Sequence, residues 1–432
     1  MASIRLSGSR IQVPPFPHHK YMISQTQRYF AHPDLLNALF MDNRILQTQL
    51  KKGNRFGVMV PRALLVDPTG DCNLHCTGCW AGGYGGKDSL SFETLDRIVR
   101  EAEELGIKYV FFSGGEPLLR KNDIIRLCEA HRSVSFSAYT NGTLIDAPFA
   151  DEVARVENLN LSLSLDGFRE QTDKRRGTGV FDKVVRAMDL LHEHDVAFGF
   201  SACYHADNAD EVSGDAFLDF LREKGCWTGW MFTYVPVGRD ADLSMVCRPE
   251  QREAVARRTA DYTRRHGMTL IDFWNNGHLS GGCVGGGMGF AHINARGDVE
   301  PCAFSHWSDR NIHRSSLVEA LNSPLFRSYQ SRQPFNRNPM RACPLLDNPE
   351  AISAMVRESG ALSTEWASPE TADEFAKKIA PIAASWAPVA ERMFHSLPIP
   401  ARLNARIFFL FQKIRLFFLR RVRGSGLFGD RK

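Results

Sequence analysis

No run in the 432 residues reaches the ~18–20 consecutive apolar positions of a membrane span. The most apolar stretch, Ile407 to Val422, is broken by Gln412, Lys413 and Arg415. The N-terminal MASIRLSGSRIQVPPFPHHK lacks the apolar core of a secretory signal, which predicts a cytoplasmic chain with ten reduced cysteines rather than disulfides. Internal repeats and low-complexity blocks are missing, and residues 1–60 contain no cysteine. A strong charge of one sign is missing too: the net is +4, and residues 401–432 alone contribute +8, from nine Lys or Arg against Asp430, which leaves −4 for residues 1–400. An acidic body with a basic tail excludes nucleic acid as the partner of the whole chain and points the tail at an anionic surface.

At 432 residues with 43% hydrophobic and 24% charged side chains, the chain has the material for two or three folded units. Residues 1–60 read as a polar, Pro-punctuated lead with helical spacing over Asp34–Leu50 and no evident β content. From Ala63 short β-branched and aromatic runs alternate with amphipathic helices, the pattern of a parallel sheet with crossover helices. Six strands are predicted: Leu64–Asp67, Tyr109–Ser113, Val134–Tyr139, Leu159–Leu165, Ala197–Tyr204 and Trp230–Val235. Helical periodicity falls at Phe92–Leu105, Asp123–Ala130, Phe181–His194 and Ala216–Lys224. A second region follows, with a helix over Glu250–His266, the glycine-rich 281–290 segment and a hairpin of Phe290–Ile293 and Val299–Cys302. The Arg296-Gly297-Asp298 inside that hairpin reads as turn chemistry. The implied divisions are a helical extension at 1–60, a core at 61–245, a second cysteine region at 246–350, a helical segment at 351–400 and a basic amphipathic tail at 401–432.

The sharpest signal is Cys72-Asn-Leu-His-Cys76-Thr-Gly-Cys79, three thiols in the loop after the first strand. Three thiolates suit a four-iron cube with one open iron, while a zinc site completed by His75 has equal claim on spacing alone. Ser113-Gly114-Gly115-Glu116-Pro117 follows the second strand, Thr140-Asn141-Gly142 the third, Asp166-Gly167 the fourth and Pro236-Val237-Gly238 the sixth. All fall at carboxyl ends of predicted strands, the rim where parallel α/β folds build ligand sites. A second set comprises Cys283, Cys302 and Cys343. Cys128, Cys203 and Cys226 have no mutual spacing and read as core.

With those motifs in that order, Arg62 to Gly238 resembles the radical SAM superfamily. The resemblance implies a partial (β/α)6 TIM barrel in which Cys72, Cys76 and Cys79 hold a [4Fe–4S] cluster whose open iron chelates S-adenosylmethionine. It further implies that Gly114, Gly115 and Glu116 engage the methionyl amine, with Asn141, Ser164, Asp166 and Arg176 as ribose and carboxylate contacts. Many members place an aromatic residue before the third Cys, where this chain has Gly78. The implied chemistry is reductive cleavage to methionine and a 5′-deoxyadenosyl radical that takes hydrogen from an unactivated carbon, an oxygen-sensitive oxidoreductase fed by flavodoxin or ferredoxin. The second cysteine set resembles a SPASM or Twitch region, which implies one auxiliary iron–sulfur cluster on Cys283, Cys302 and Cys343, with His306, Asp347 or Cys247 as candidates for the fourth position.

Helical projection of the tail places Arg402, Arg406, Lys413 and Arg420 within about 40° and Leu403, Ile407, Leu410, Phe411, Ile414 and Phe418 elsewhere. That pattern fits peripheral attachment at the membrane inner face. The stretch Pro301–His306 with Asn311-Ile312, Ser323–Phe326 and Cys343-Pro344 resembles lipid-coupling synthases of the tetraether type, and the leading expectation is action on a lipid chain. A maturase of ribosomal peptides and a non-enzymatic iron–sulfur sensor are the alternatives.

Overall fold

The computed structural model describes residues 2–6, 9–13, 51–53, 55–84, 88–366 and 369–407 with 409, 410 and 414. Eight parallel strands form the centre. These are β3 (Ala63–Val66), β4 (Tyr109–Phe112), β5 (Ser135–Thr140), β6 (Leu159–Ser164), β7 (Phe198–Tyr204), β8 (Thr228–Thr233), β9 (Thr269–Asp272) and β10 (Phe290–Ile293). With the antiparallel β11 (Val299–Glu300) they make one nine-stranded sheet of order β11-β10-β3-β4-β5-β6-β7-β8-β9. All six predicted strands are present within one or two residues of their expected ends. The hairpin is present as well, but β10 pairs in parallel with β3, Phe290 beside Ala63 and Ile293 beside Val66. The second cysteine region therefore builds on the same sheet as the first.

Alternation along the strands decides what the sheet encloses. Val110 and Phe112 of β4, Phe136 and Ala138 of β5, and Leu161 and Leu163 of β6 are buried in one core. That core also holds Ile98 and Val99 of α1 (Phe92–Leu105), Leu127 of α2 (Lys121–Ala130) and Val153 of α3 (Ala147–Val156). Phe112 and Phe136 stack with centroids 5.7 Å apart. The opposite face carries Tyr109, Phe111, Ser135, Ser137, Tyr139, Asn160, Ser162 and Ser164, which line a cavity. Small hydroxyl side chains there keep the interior from filling with packed layers as it does in a closed eight-stranded barrel. The unbroken apolar run at Tyr109–Phe112 thus faces helices on one side and the cavity on the other.

Helix α1 starts where Ser91 accepts from the Thr94 amide, and α3 where Asp146 accepts from that of Phe149. Helices α3 and α4 (Arg169–Arg176) were not expected, nor was β9. Helix α5 (Val180–Glu193), α6 (Asp215–Glu223) and α7 (Pro249–His266) match their predicted spans closely. Beyond the sheet, α8 (Pro324–Ser331), α9 (Pro349–Ser359) and the 25-residue α10 (Ala372–Ser396) build two smaller cores around Trp307, Tyr329 and Phe375 and around Trp386 and Phe394.

The expectation that residues 1–60 are free of β structure is overturned. β1 (Ala2–Leu6) and β2 (Ser9–Val13) pair antiparallel, with Ile4 opposite Ile11. The signal was the alternation of Ile4, Leu6, Ile11 and Val13 with polar residues around Ser7-Gly8. The helix expected over 34–50, and the tail beyond 414, lie outside the described residues.

Because Phe112 is fully buried in the central core, Phe112→Ala should lower unfolding free energy by about 3–5 kcal/mol, read from anaerobic denaturant titration.

Two cysteine triads on one cavity

The loop after β3 carries Cys72, Cys76 and Cys79, and the cavity enclosed by the sheet measures 1410 Å³ and is lined by all three. Cys283, Cys302 and Cys343 line the same cavity. Trp80, Phe232, Phe273, Trp274, Phe290 and Phe304 line it with them. Trp274 packs edge-on against Phe304 at 4.8 Å, and Trp80 lies 5.6 Å from the same ring. The space exceeds the ~300–1,000 Å³ of an ordinary small-molecule pocket, so it has room for two molecules at once.

The first cysteine loop is held by the loop after β4. The Gly115 amide donates to Thr69 O at 3.0 Å and the Glu116 amide to Asp71 O at 2.8 Å. Ser113 Oγ donates to Asp67 Oδ1 at 2.7 Å. A Cβ on Gly114, whose φ is +93°, would stand 2.6 Å from Asp67 Cβ, and one on Gly115 would stand 2.0 Å from Asp71 O. The paired glycines are required by this loop-to-loop approach. The Glu116 carboxylate accepts from the Leu118 amide, Thr140 Oγ1 and the Asn141 amide, so it caps and ties neighbouring loops. Asn141 Nδ2 donates to Asn73 Oδ1 at 2.8 Å, which fixes a residue next to Cys72.

Other expected contacts fall differently. Asp166 is fully buried. Its carboxylate receives Arg175 and Arg176 at 2.7 Å each and the Cys203 amide at 2.9 Å. Asp166 thus lies beneath the cavity wall and organises two guanidinium groups. Burial opposes its ionisation, but Arg176 and Arg175 overcome this and hold its carboxyl well below the usual carboxylate range. Arg176 does reach the wall with its charge committed to Asp166, and Ser164 Oγ pairs with Ser201 Oγ at 3.0 Å. Cys203, expected as core, lines the cavity.

Burial pushes the Cys72 thiol up to about 11, with Glu116, Cys76 and Cys79 adding to it and the Leu74 amide opposing it. Cys76 is raised by burial against the pull of Arg176 and Arg175. In the second set burial drives Cys343 up to about 12, and Asp347 and Cys283 push in the same direction. Cys302 is raised by burial and by both other members. Each wall therefore gathers thiols that resist becoming anions, a resistance that a cationic metal group reverses. Three thiols on each wall are a donor set of the kind that holds iron–sulfur clusters.

The three candidates for the fourth position of the second set make the following contacts. His306 engages Glu365 through Nδ1 and Ala303 O through Nε2, which commits both nitrogens. Asp347 accepts from Arg252 at 2.7 Å and from the Cys343 amide at 3.0 Å, so it holds the Cys343 loop in place. Cys247 packs in the sheet core near Cys203 and Arg252.

A buried ionic network was invisible in the sequence. His292 of β10 lies 2.7 Å from Glu300 Oε2 through Nδ1, and its Nε2 is 3.0 Å from Asp67 Oδ2 without hydrogen-bond alignment. Glu300 also accepts from Tyr84 at 2.8 Å and from Thr364 at 2.5 Å. Burial disfavours the imidazolium, but Asp67 and Glu300 raise it to about 10.

Residues 66–216 match the radical SAM superfamily, and residues 283–344 match the SPASM family, an iron–sulfur cluster-binding domain. The Fe-coproporphyrin III synthase of Methanosarcina barkeri is 32% identical over 194 residues. That match takes in 43% of this chain and 47% of that protein, so the chain spans about half the length of this relative. The mycofactocin maturase MftC of Mycobacterium ulcerans is 28% identical over 310 residues, 66% of this chain and 81% of the maturase. Streptococcus suis SuiB, solved with its precursor peptide SuiA, superposes with a TM-score of 0.57 at 18% identity over 79% of this chain and 80% of SuiB, a likeness of fold.

His292→Asn should cost about 3–5 kcal/mol, because it leaves two buried carboxylates without their cation. The folded pKa is raised, so the imidazolium's stabilisation is complete below about pH 6.5 and fades as pH climbs to about 10. Denaturation between pH 6 and 10 should show wild-type stability converging on that of the variant.

Proposed function

From the premise that the chain belongs to the radical SAM superfamily of enzymes and carries a SPASM iron–sulfur domain, we propose that it modifies a ribosomally made peptide. The observation that carries this is the single cavity onto which both cysteine triads open. On this reading Cys72, Cys76 and Cys79 hold the [4Fe–4S] cluster. Gly114, Gly115 and Glu116 shape the adjoining site for S-adenosylmethionine, and Asn141, Ser164 and Arg176 are its polar wall. When bound, such a cluster would supply the electron for reductive cleavage of S-adenosylmethionine, the chemistry by which hydrogen is removed from an unactivated carbon. The chain's own part is to orient and to exclude water. The Trp80, Trp274 and Phe304 cluster walls the space between the triads. A reductant of the flavodoxin or ferredoxin class supplies the electron.

Three observations favour a peptide over the other substrates. MftC, named as a maturase, matches over four-fifths of its length, and SuiB, whose fold is shared, was solved with a precursor peptide. The two guanidinium groups beside the first cysteine loop are spent on Asp166, which leaves them ill suited to porphyrin carboxylates. Residues 1–60 carry a β hairpin, β structure of the kind a peptide-clasping N-terminal module would use. The lipid-chain expectation finds no support among the relatives named above.

Iron-loaded protein, reduced without oxygen and given S-adenosylmethionine, should release 5′-deoxyadenosine, and Cys76→Ala should reduce it by at least a hundredfold. Mass spectrometry of peptides and lipids from cells with and without the gene should show a peptide altered by loss of hydrogen; altered lipids with unchanged peptides would reject the peptide reading.

A separate proposal concerns the C-terminal helix. Among the described residues no helix is long and apolar enough to cross a membrane. Yet Ile399, Leu403, Ile407, Leu410 and Ile414, three or four positions apart, are 72%, 54%, 42%, 59% and 41% exposed. Together with the tail's Lys and Arg, this stripe supports docking on the anionic inner membrane face. Protein ending at Pro398 should lose cosedimentation with phosphatidylglycerol vesicles, and equal binding by both forms would exclude the tail from that role.

A further inference from the structure

Apart from Cys283, the 281–290 segment has no part in the chemistry derived so far, yet six of its ten residues are glycine. The reason lies in Tyr329 of α8. Its ring is fully buried, packed edge-on against Phe335 at 4.9 Å. The other side of the ring rests on the backbone of this segment. A Cβ on Gly286, at φ +63°, would stand 2.3 Å from Tyr329 Cδ1, and one on Gly285 would stand 2.8 Å from Tyr329 Oη. The segment is clamped in place: Gln330 Nε2 donates to Gly286 O at 2.9 Å, and the Gly286 amide donates to Pro301 O at 2.7 Å.

The glycines thus open a slot only an aromatic ring fills, and the slot aims one polar atom at the second triad. Tyr329 Oη lies 3.1 Å from Cys283 Sγ. The same sulfur receives the Gly285 amide at 3.4 Å. Gln333 is the other polar side chain at this cysteine, its Nε2 donating to Cys283 O at 3.0 Å, while Tyr329 Oη is the closer group to the sulfur itself. A metal-bound thiolate has no proton to give, so in the loaded protein the phenol must be the donor. Hydrogen bonds to cluster sulfurs favour the more negative, reduced state and so raise the reduction potential.

We propose that Tyr329 is a positioning residue of the auxiliary cluster: its phenol donates to the Cys283 sulfur and sets that cluster's potential above the value the thiolates alone would give. The proposal rests on Cys283, Cys302 and Cys343 holding a cluster, so the test separates the two. Full-length protein with Cys72, Cys76 and Cys79 changed to Ala reports on the second triad alone. It should retain iron, and a protein without iron would overturn the site itself and the proposal with it. In that background Tyr329→Phe should keep the same iron per chain while the midpoint, followed by electron paramagnetic resonance during redox titration, moves negative. Incorporating 3-fluorotyrosine at 329 keeps the ring's shape and strengthens the donor, so the midpoint should move positive. Opposite shifts establish the role; a purely structural tyrosine would move neither. Equal midpoints in all three proteins overturn the proposal. Iron loss in Tyr329→Phe also overturns it, because a donor is not needed to hold the cluster. Should that variant fail to fold, the fluorotyrosine protein decides alone.

Discussion

The buried cation of His292 is the constraint on which the arrangement of the two halves rests. It stands between Asp67, at the end of the strand that leads into the first cysteine loop, and Glu300, two residues before Cys302. Removing three ionisable groups from water is costly, and their mutual attraction at best offsets that cost. What the network contributes is register. β10 can sit beside β3 only where His292 meets both carboxylates, and Ser113, Tyr84, Asn294 and Thr364 satisfy the oxygens that remain. The placement of one triad relative to the other is thereby tied to a strand pairing.

The same logic runs through the smaller contacts. Asp166 gathers Arg175 and Arg176 behind the first loop, and Asp347 with Arg252 fixes the Cys343 loop while Arg252 stacks 4.1 Å from the Trp386 ring of α10. Asp166 and Asp347 are occupied by arginines in the fold, and Glu116 by a hydroxyl and two backbone amides. Buried charges here orient the walls, and the walls present thiols, hydroxyls and aromatic rings to the cavity.

How much was legible follows from how local each signal is. The six strands, the helix over 92–105 and the first triad rest on periodicity and spacing within a dozen residues, and they emerged as expected. The hairpin at Phe290–Ile293 was also local, but its parallel pairing with β3, over 220 residues away, was not. Glu116 and Asp166 were read for ligand contacts because motif spacing shows which residues cluster, not which groups satisfy one another. Tyr329 and His292 had no motif at all. The clue to Tyr329 was indirect: a run of glycines implies something bulky lying against the backbone, without saying what. The N-terminal hairpin was missed although its alternation was on the page, because Pro-rich residues after it drew the segment toward irregular structure.

The shared sheet has a consequence for electron flow. Separate domains would leave the distance between two clusters to a hinge, whereas β10 and β3 pair along their length, with the first triad in the loop after β3, Cys283 before β10 and Cys302 just after β11. Packed strands resist sliding because a one-residue slip would turn every inward side chain outward. The cavity between the triads is therefore bounded by covalent and hydrogen-bonded geometry on both sides. On the proposed reading, a substrate held there would lie between the two triads, and a cluster on the second triad would be the acceptor for an electron that the substrate releases. The potential of that cluster, and the sulfur contact proposed to tune it, would then bear on the outcome of the chemistry.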